Sequence, residues 1–148
     1  MAFVVLITWS AAVLAGLYML AVWLIENDVA AGGAAASRLP APVVFGHLTL
    51  AACGLALWVT YLVVGLKGFA WAAIGVLGGI AVLGFTMFAR WIPVYREPET
   101  RATGQLSVAS HSGPAEGNFP VAVVAAHGLL AVTTLVLAIL AALGPSVP

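Results

Sequence analysis

Residues 43–88 read VVFGHLTLAACGLALWVTYLVVGLKGFAWAAIGVLGGIAVLGFTMF, and the only charged residue in this stretch is Lys67. A helix needs roughly 20 apolar residues to cross the hydrocarbon core of a bilayer. The stretch therefore predicts two membrane spans, 43–66 and 69–88, joined by a very short turn at Lys67-Gly68. A connection this short requires the two helices to be antiparallel neighbours.

Two further apolar segments flank this hairpin, at about residues 2–25 and 119–143. The sequence thus predicts an all-α membrane protein with four transmembrane helices in an up-down-up-down bundle. One domain would cover residues 1–148, with a polar loop over 89–118. Gly144-Pro145 directly after the last segment fits the usual end of a helix.

The composition indicates that lipid is the main partner of this chain. Of its residues 64% are hydrophobic and only 7% are charged, and the mean hydropathy is +1.15. Soluble domains carry about 25% charged residues. The formal net charge is +0, and no basic run predicts binding to nucleic acid. The single cysteine, Cys53, excludes a paired-cysteine redox centre within the chain.

The basic residues predict how the chain is oriented. The loops 26–42 and 89–118 contain Arg38, Arg90, Arg96 and Arg101, whereas the opposite side has only Lys67. Cytoplasmic loops of membrane proteins are enriched in Lys and Arg near the spans. We therefore expect both loops on the cytoplasmic side of a plasma (inner) membrane.

The second and fourth spans align on their histidines, His47 and His127. Identical residues follow at matching offsets: Leu50, Ala51, Leu55 and Leu57 against Leu130, Ala131, Leu135 and Leu137. Leu and Ala are common in this chain, so composition alone is one explanation of the match. The other is a repeat of two similar hairpins related by an axis along the membrane normal, as in parallel transporter repeats.

His47 and His127 are also the candidate ligands of a cofactor. At about 1.5 Å rise per residue they lie roughly 7 Å and 10 Å inside their predicted helix starts, so they share one depth. Helices two and four are diagonal in an up-down-up-down bundle. Two imidazoles that face each other across a bundle can bind haem iron, or another metal, from both sides.

This layout resembles the small four-helix membrane cytochromes of type b, in which histidines on alternate helices hold haem. The resemblance implies one haem b between helices two and four, and one-electron transfer. Larger members of that class have a second histidine on each helix, where this chain has Tyr61 and Ala141. The resemblance also implies that Arg90, with Arg38, pairs with haem propionates. Gly46 and Gly128 beside the histidines would let a flat macrocycle approach, since glycine lacks a Cβ.

Other interpretations of the histidines stay open. Each would be structural if it hydrogen-bonded a neighbouring hydroxyl or main-chain carbonyl, and a metal or quinone site is a third possibility. His111, in the polar loop, is expected to be solvated. The alternative function is a non-catalytic membrane subunit or assembly factor of a larger complex. Gly75 and Gly79 form a GxxxG motif, which predicts close packing inside the bundle or a homodimer seam.

No catalytic residue is predicted. The spans contain no Asp, Glu, Lys or Arg, which argues against a proton-coupled exporter with a membrane-embedded carboxylate. The serines and threonines of the spans have no acidic partner for nucleophilic chemistry, and no phosphate-binding or zinc-protease motif occurs.

Overall fold

The computed structural model describes residues 1–30, 37–101 and 114–145. Its elements are α1 (Ala2–Ala30), α2 (Ala41–Val64), α3 (Lys67–Arg101), a short 3₁₀ helix (Ala115–Asn118) and α4 (Val121–Leu143). The four α-helices are each long and apolar enough to cross a membrane. The predicted all-helical, four-span architecture is therefore confirmed.

Two helices continue beyond the predicted spans. α1 passes Ile25 and ends at Ala30, and α3 passes Phe88 and runs through Pro93 to Arg101. The prediction of a loop over 89–118 is therefore wrong at its beginning and at the 3₁₀ helix. The apolar run marks the part of a helix that contacts lipid, whereas main-chain hydrogen bonding does not require apolar side chains. His111 lies outside the described residues.

An aromatic stack stabilises the extension of α3. The ring centroids of Phe88 and Trp91 lie 5.9 Å apart, and those of Trp91 and Tyr95 lie 5.2 Å apart. Spacings of three and four residues place these rings on one helix face. Tyr and Trp favour the membrane–water interface, which suits the end of the apolar run.

The turn between α2 and α3 lies two residues earlier than predicted. Gly65 ends α2 with a φ of 75°, and its N–H donates to the carbonyl of Tyr61 at 2.9 Å. Glycine adopts this left-handed conformation without a Cβ clash, so the helix ends there. Lys67 and Gly68, predicted as the turn, are instead the first residues of α3. Lys67 also donates to the carbonyl of Gly144 at 2.7 Å, which ties α3 to the end of α4.

The bundle consists of two close helix pairs. α2 packs most closely on α3, and α1 packs most closely on α4, while α1–α2 and α3–α4 meet more sparsely. Each close pair therefore combines one helix of the first repeated hairpin, α1 and α2, with one helix of the second, α3 and α4. Gly79 contributes to the α2–α3 pair, because a Cβ there would lie 3.6 Å from Cδ1 of Leu50. Gly75 of the same GxxxG motif would contact nothing within 4 Å.

A large buried cluster fills the end of the bundle that holds the α2–α3 turn. Its largest fully buried side chains are Trp58 and Tyr61, and the indole N–H of Trp58 donates to the carbonyl of Ala2 at 3.1 Å. Trp9 lies against α2 where Gly54 leaves room for its ring. This cluster joins all four helices.

A buried carboxylate organises the opposite end. Glu116 of the 3₁₀ helix is fully buried, and its two oxygens accept from the N–H of Arg38 at 2.6 Å and the hydroxyl of Ser37 at 2.8 Å. The hydroxyl oxygen of Ser37 accepts from the indole N–H of Trp23 at 2.9 Å. The indole of Trp91 donates to the carbonyl of Glu116 at 3.1 Å. The segments before α2 and α4 are thus bonded to each other at one end of the bundle.

Gly54→Ala should destabilise the folded protein by about 1–3 kcal/mol, because overpacking a filled core costs that much. The new Cβ would lie 2.8 Å from Cζ2 of Trp9 and 3.1 Å from Cγ1 of Val76. Thermal unfolding in mild detergent, followed by circular dichroism, measures the effect. Gly75→Ala is the matched control, since it makes the same chemical change in open space. Equal melting temperatures for the two variants would contradict the packing described here.

Glu116→Gln should also lower the free energy of unfolding, by about 1–3 kcal/mol. The amide nitrogen of Gln would replace one of the two acceptor oxygens. It would then face either the N–H of Arg38, which is itself a donor, or the hydroxyl of Ser37, which already accepts two hydrogen bonds. Urea or thermal unfolding in detergent measures the loss. The control is Asn118→Asp, which alters an exposed side chain of the same 3₁₀ helix. A Gln variant as stable as the control would show that the carboxylate is dispensable.

Candidate functional site

The two spans that do not pack against each other meet through their histidines. The imidazole rings of His47 on α2 and His127 on α4 have centroids 6.2 Å apart and planes at 53°. Both side chains are partly buried. The structure therefore brings together the two residues that the sequence singled out.

Each imidazole is fixed by a main-chain carbonyl of its neighbouring helix. Nδ1 of His47 lies 3.1 Å from the carbonyl oxygen of Ile80, and Nδ1 of His127 lies 2.9 Å from that of Ala12. A carbonyl oxygen only accepts, so each bond requires the hydrogen on Nδ1. In the neutral ring, Nε2 then keeps its lone pair. Neither Nε2 atom bonds to any residue that the structure describes.

A glycine sits under each imidazole. A Cβ on Gly84 would lie 3.3 Å from Cε1 of His47, and one on Gly16 would lie 3.2 Å from Cε1 of His127. Each glycine follows the acceptor residue by four positions, at Ile80 and Ala12. A helical side chain covers the turn that precedes it. The missing Cβ therefore exposes the carbonyl and leaves space for the ring.

The two halves of the site are equivalent. His47 of the first hairpin bonds to α3 of the second, and His127 of the second hairpin bonds to α1 of the first. The two hydrogen bonds are therefore reciprocal between the hairpins. This geometry supports the repeat that the histidine alignment suggested.

Gly16 and Gly84 were missed by the sequence reasoning, although a repeat in α1 and α3 marks them. Residues 16–23 read GLYMLAVW and residues 84–91 read GFTMFARW, with Gly, Met, Ala and Trp at matching positions. Both tryptophans of this pattern donate hydrogen bonds to the buried network around Glu116, Trp23 through Ser37 and Trp91 directly. Aligning the odd-numbered spans as well as the even-numbered ones would have revealed it.

The starts of α2 and α4 extend the repeat. The prediction placed the start of the second span after Pro42, five residues before its histidine. The structure caps α2 with Pro40 and α4 with Pro120, each seven residues before a histidine. The carbonyl of each proline accepts from the N–H groups of two valines, at 2.9 and 3.2 Å in α2 and at 2.9 and 3.1 Å in α4. The histidines therefore occupy the same turn of equivalent helices.

The remaining predicted residues lie elsewhere. Arg90 is exposed near the end of the bundle, where its Nη1 donates to the carbonyl of Arg38 at 3.1 Å. It lies about 9 Å farther along α3 than Gly84, given 1.5 Å per residue. A Cβ on Gly128 would contact nothing, and one on Gly46 would touch Leu83. The glycines that lie close to the imidazoles are Gly16 and Gly84, not the predicted pair.

The position of a second histidine pair is filled by core residues. Tyr61 and Ala141 are both buried in the cluster around Trp58. The hydroxyl of Tyr61 has no hydrogen-bond partner among the described residues. Within the described helices, the two imidazoles therefore meet at the level of His47 and His127 and not at the level of Tyr61 and Ala141.

The donor set consists of two imidazoles. Within residues 1–30, 37–101 and 114–145 there is no group of three or more His, Cys, Asp or Glu side chains able to hold a metal ion. Structural zinc sites need four protein ligands, and catalytic ones need three. Two histidines suffice when another molecule supplies the other ligands of the metal, as a porphyrin does for iron.

The comparisons with known proteins do not assign this chain to a family. No protein-family model, no curated protein and no solved structure matches this chain. The resemblance to type b membrane cytochromes thus rests on the four-span layout and the histidine pair.

Gly84→Val should displace the imidazole of His47 from the Ile80 carbonyl, because the new side chain would occupy the space of the ring. Nitrogen NMR of histidine-labelled protein in detergent reports which ring nitrogen carries the hydrogen. We expect the Nδ1–H form for His47 and His127 in the original chain, and a changed signal for His47 alone in the variant. Gly75→Val is the control, since a Cβ at this position of the same helix would meet no other described residue within 4 Å. An unchanged His47 signal would contradict this role of Gly84.

Proposed function

We propose that this chain is a membrane haem protein that holds one b-type haem between His47 and His127 for one-electron transfer. The observation that carries the proposal is the pair of histidines fixed through Nδ1 on diagonal helices. His47 and His127 are the residues that would hold its iron. No catalytic residue is part of the proposal.

The spacing of the rings supports binding of one metal atom by both. A metal–nitrogen bond to histidine is about 2 Å, and the ring centre lies about 1 Å beyond the nitrogen, so opposite ligands have ring centres roughly 6 Å apart. The centroids of His47 and His127 are 6.2 Å apart. The separation of the two ring centres therefore matches that expected for two imidazoles on one metal atom.

The hydrogen bonds of the histidines support the same role. Metal-binding histidines usually donate their other ring N–H to a carbonyl or carboxylate, which fixes the ring and makes the ligand nitrogen more basic. His47 and His127 both do so through Nδ1. Each ring is thereby prepared to offer Nε2.

The arrangement of the helices supports a flat ligand between them. One histidine comes from the α2–α3 pair and the other from the α1–α4 pair, and the two pairs meet less closely than the helices within them. A haem iron with two histidine ligands supplies one-electron oxidation and reduction, with no open position for a substrate. The apolar helices around the pair would exclude water and set the reduction potential.

Arg90 is the proposed partner of the haem propionates, as a lesser part of this function. Its guanidinium lies toward the end of the bundle that is nearer to the histidines. Propionates directed toward that end would approach arginine at the membrane surface, where the charged pair would be solvated.

We propose a plasma (inner) membrane location with residues 26–42 and 89–118 on the cytoplasmic side. A hydrogen bond joins Ser37 to Glu116 at one end of the bundle. Arg38, Arg90 and Arg96 lie at that end, and Lys67 lies at the other. The distribution of basic residues supports a cytoplasmic position for the arginine-rich end.

A second candidate function is a non-catalytic membrane subunit or accessory protein of a larger complex, or a homodimer. The observation that favours it is that both histidines already join helices through carbonyl hydrogen bonds, which is a sufficient structural role. The exposed Gly75 and Gly78 on α3 would then offer a close-packing surface.

Absorption spectra of the protein purified in mild detergent test the haem proposal. With haem supplied during expression, the dithionite-reduced chain should show the sharp α-band of a six-coordinate b haem at about one haem per chain. His47→Ala and His127→Ala should each abolish that band, because each removes one of two equivalent ligands.

His111→Ala is the matched control and should leave the spectrum unchanged. A spectrum without haem bands from a folded helical protein would rule out the haem proposal. If the two alanine variants then also lowered the melting temperature, the histidines would have the structural role of the second candidate.

A further inference from the structure

An open groove lies on the outer surface of the bundle, where α2 begins and α3 leaves its apolar part. Its volume is about 470 Å³. Its lining residues are Ser37, Arg38, Pro40, Ala89, Arg90 and Pro93. We call it the Arg38–Arg90 groove.

The part of the groove that α3 contributes is formed by exposed residues. Ala89, Arg90 and Pro93 are exposed, whereas Trp91 and Val94 of the same turns are buried. The groove therefore lies on the outer face of α3, beside the surface that lipid covers.

The charged residues that line the groove are basic. Two of its lining residues are arginines, and none is acidic. Glu116 is bonded to two of the lining residues but does not line the groove itself. Its carboxylate is fully buried and accepts hydrogen bonds from Ser37 and the main chain of Arg38. Arg90 uses one of its donors on the carbonyl of Arg38, and a guanidinium has five.

The depth of the groove matches a layer of lipid headgroups. From Lys67, about 20 residues of α3 cross the hydrocarbon core and end near Phe88. Arg90 follows by two residues, and the aromatic stack of Phe88, Trp91 and Tyr95 lies at the same level. Basic pockets between helices on the cytoplasmic side are suited to anionic lipid headgroups.

We propose that the Arg38–Arg90 groove binds the phosphate of an anionic phospholipid headgroup. Arginine pairs with phosphate through two parallel hydrogen bonds, which gives the site selectivity over zwitterionic lipids. The acyl chains would continue along the exposed apolar face of α3. The bound lipid would fix the end of α3 in the membrane surface.

Native mass spectrometry of the full chain tests this binding site. The protein in detergent is mixed with phosphatidylglycerol or phosphatidylcholine, and the lipid-bound fractions are compared. Phosphatidylglycerol should be retained preferentially, and Arg90→Gln should weaken its binding about fivefold, as expected for one basic residue near anionic lipid. Ala89→Phe should weaken it as well, since the ring fills the groove and leaves every charge in place.

Arg96→Gln is the matched control, because Arg96 is an exposed arginine on the same helix that does not line the groove. An equal loss in this control, or no loss in Arg90→Gln, would overturn the proposal. Displacement of the lipid by millimolar inorganic phosphate would overturn it too, because the site would then recognise free phosphate.

The same experiment separates the groove from the haem proposal. The lipid measurements are repeated with His47→Ala, which is expected to retain the lipid selectivity even though it lacks a haem ligand. If Arg90→Gln lowered haem content and left lipid binding intact, Arg90 would be a propionate partner and the lipid site would be wrong.

Discussion

The arrangement of the helices depends on two hydrogen bonds in which a histidine donates to a main-chain carbonyl across a helix interface. A helical carbonyl already accepts one bond within its own helix, so its second lone pair is available only where no side chain covers it. Gly84 and Gly16 uncover the carbonyls of Ile80 and Ala12. Because lipid offers no competing donor or acceptor, these bonds fix both the partner and the rotation of each helix. They also reinforce the pairing of α2 with α3, which the short turn already requires, and the pairing of α1 with α4.

Two ends of unlike chemistry enclose the histidine level. At the α2–α3 turn, aromatic rings and small residues fill the bundle around Trp58. At the other end, a buried carboxylate, Glu116, ties the segments that precede α2 and α4. The first end is held by apolar packing and the second by hydrogen bonds that leave the helix ends at the surface. A cofactor between them would be separated from water on one side by core and on the other by a polar network.

The four spans and the two histidines could be predicted from the sequence, because hydropathy and a rare ionisable residue in an apolar run are both local signals. The ends of α1 and α3 could not, since helix continues where apolar character stops. The turn was predicted two residues too late because the prediction relied on the charged residue Lys67. The helix ends instead at Gly65, which adopts a left-handed conformation. Gly16 and Gly84 cannot be distinguished by sequence from the other glycines of the chain. Their role becomes visible only when the imidazole of another helix is found against each of them. Their part of the site is set by contacts between distant segments, which spacing within one helix does not contain.

The symmetry of the site separates its common centre from its specialised ends. At the histidine level the two hairpins contribute the same groups, and each depends on the other, because neither histidine bonds within its own hairpin. Away from that level the equivalence is lost: Trp58 corresponds to Ala138, and Arg90 corresponds to Val22. A ligand on the axis would meet equivalent groups from both sides, as one metal atom with two like ligands does. The features that differ between the halves, including the arginines, lie toward the ends, where the chain meets the membrane surface. The equivalence retained at the centre is therefore the part of the molecule most closely tied to the proposed haem.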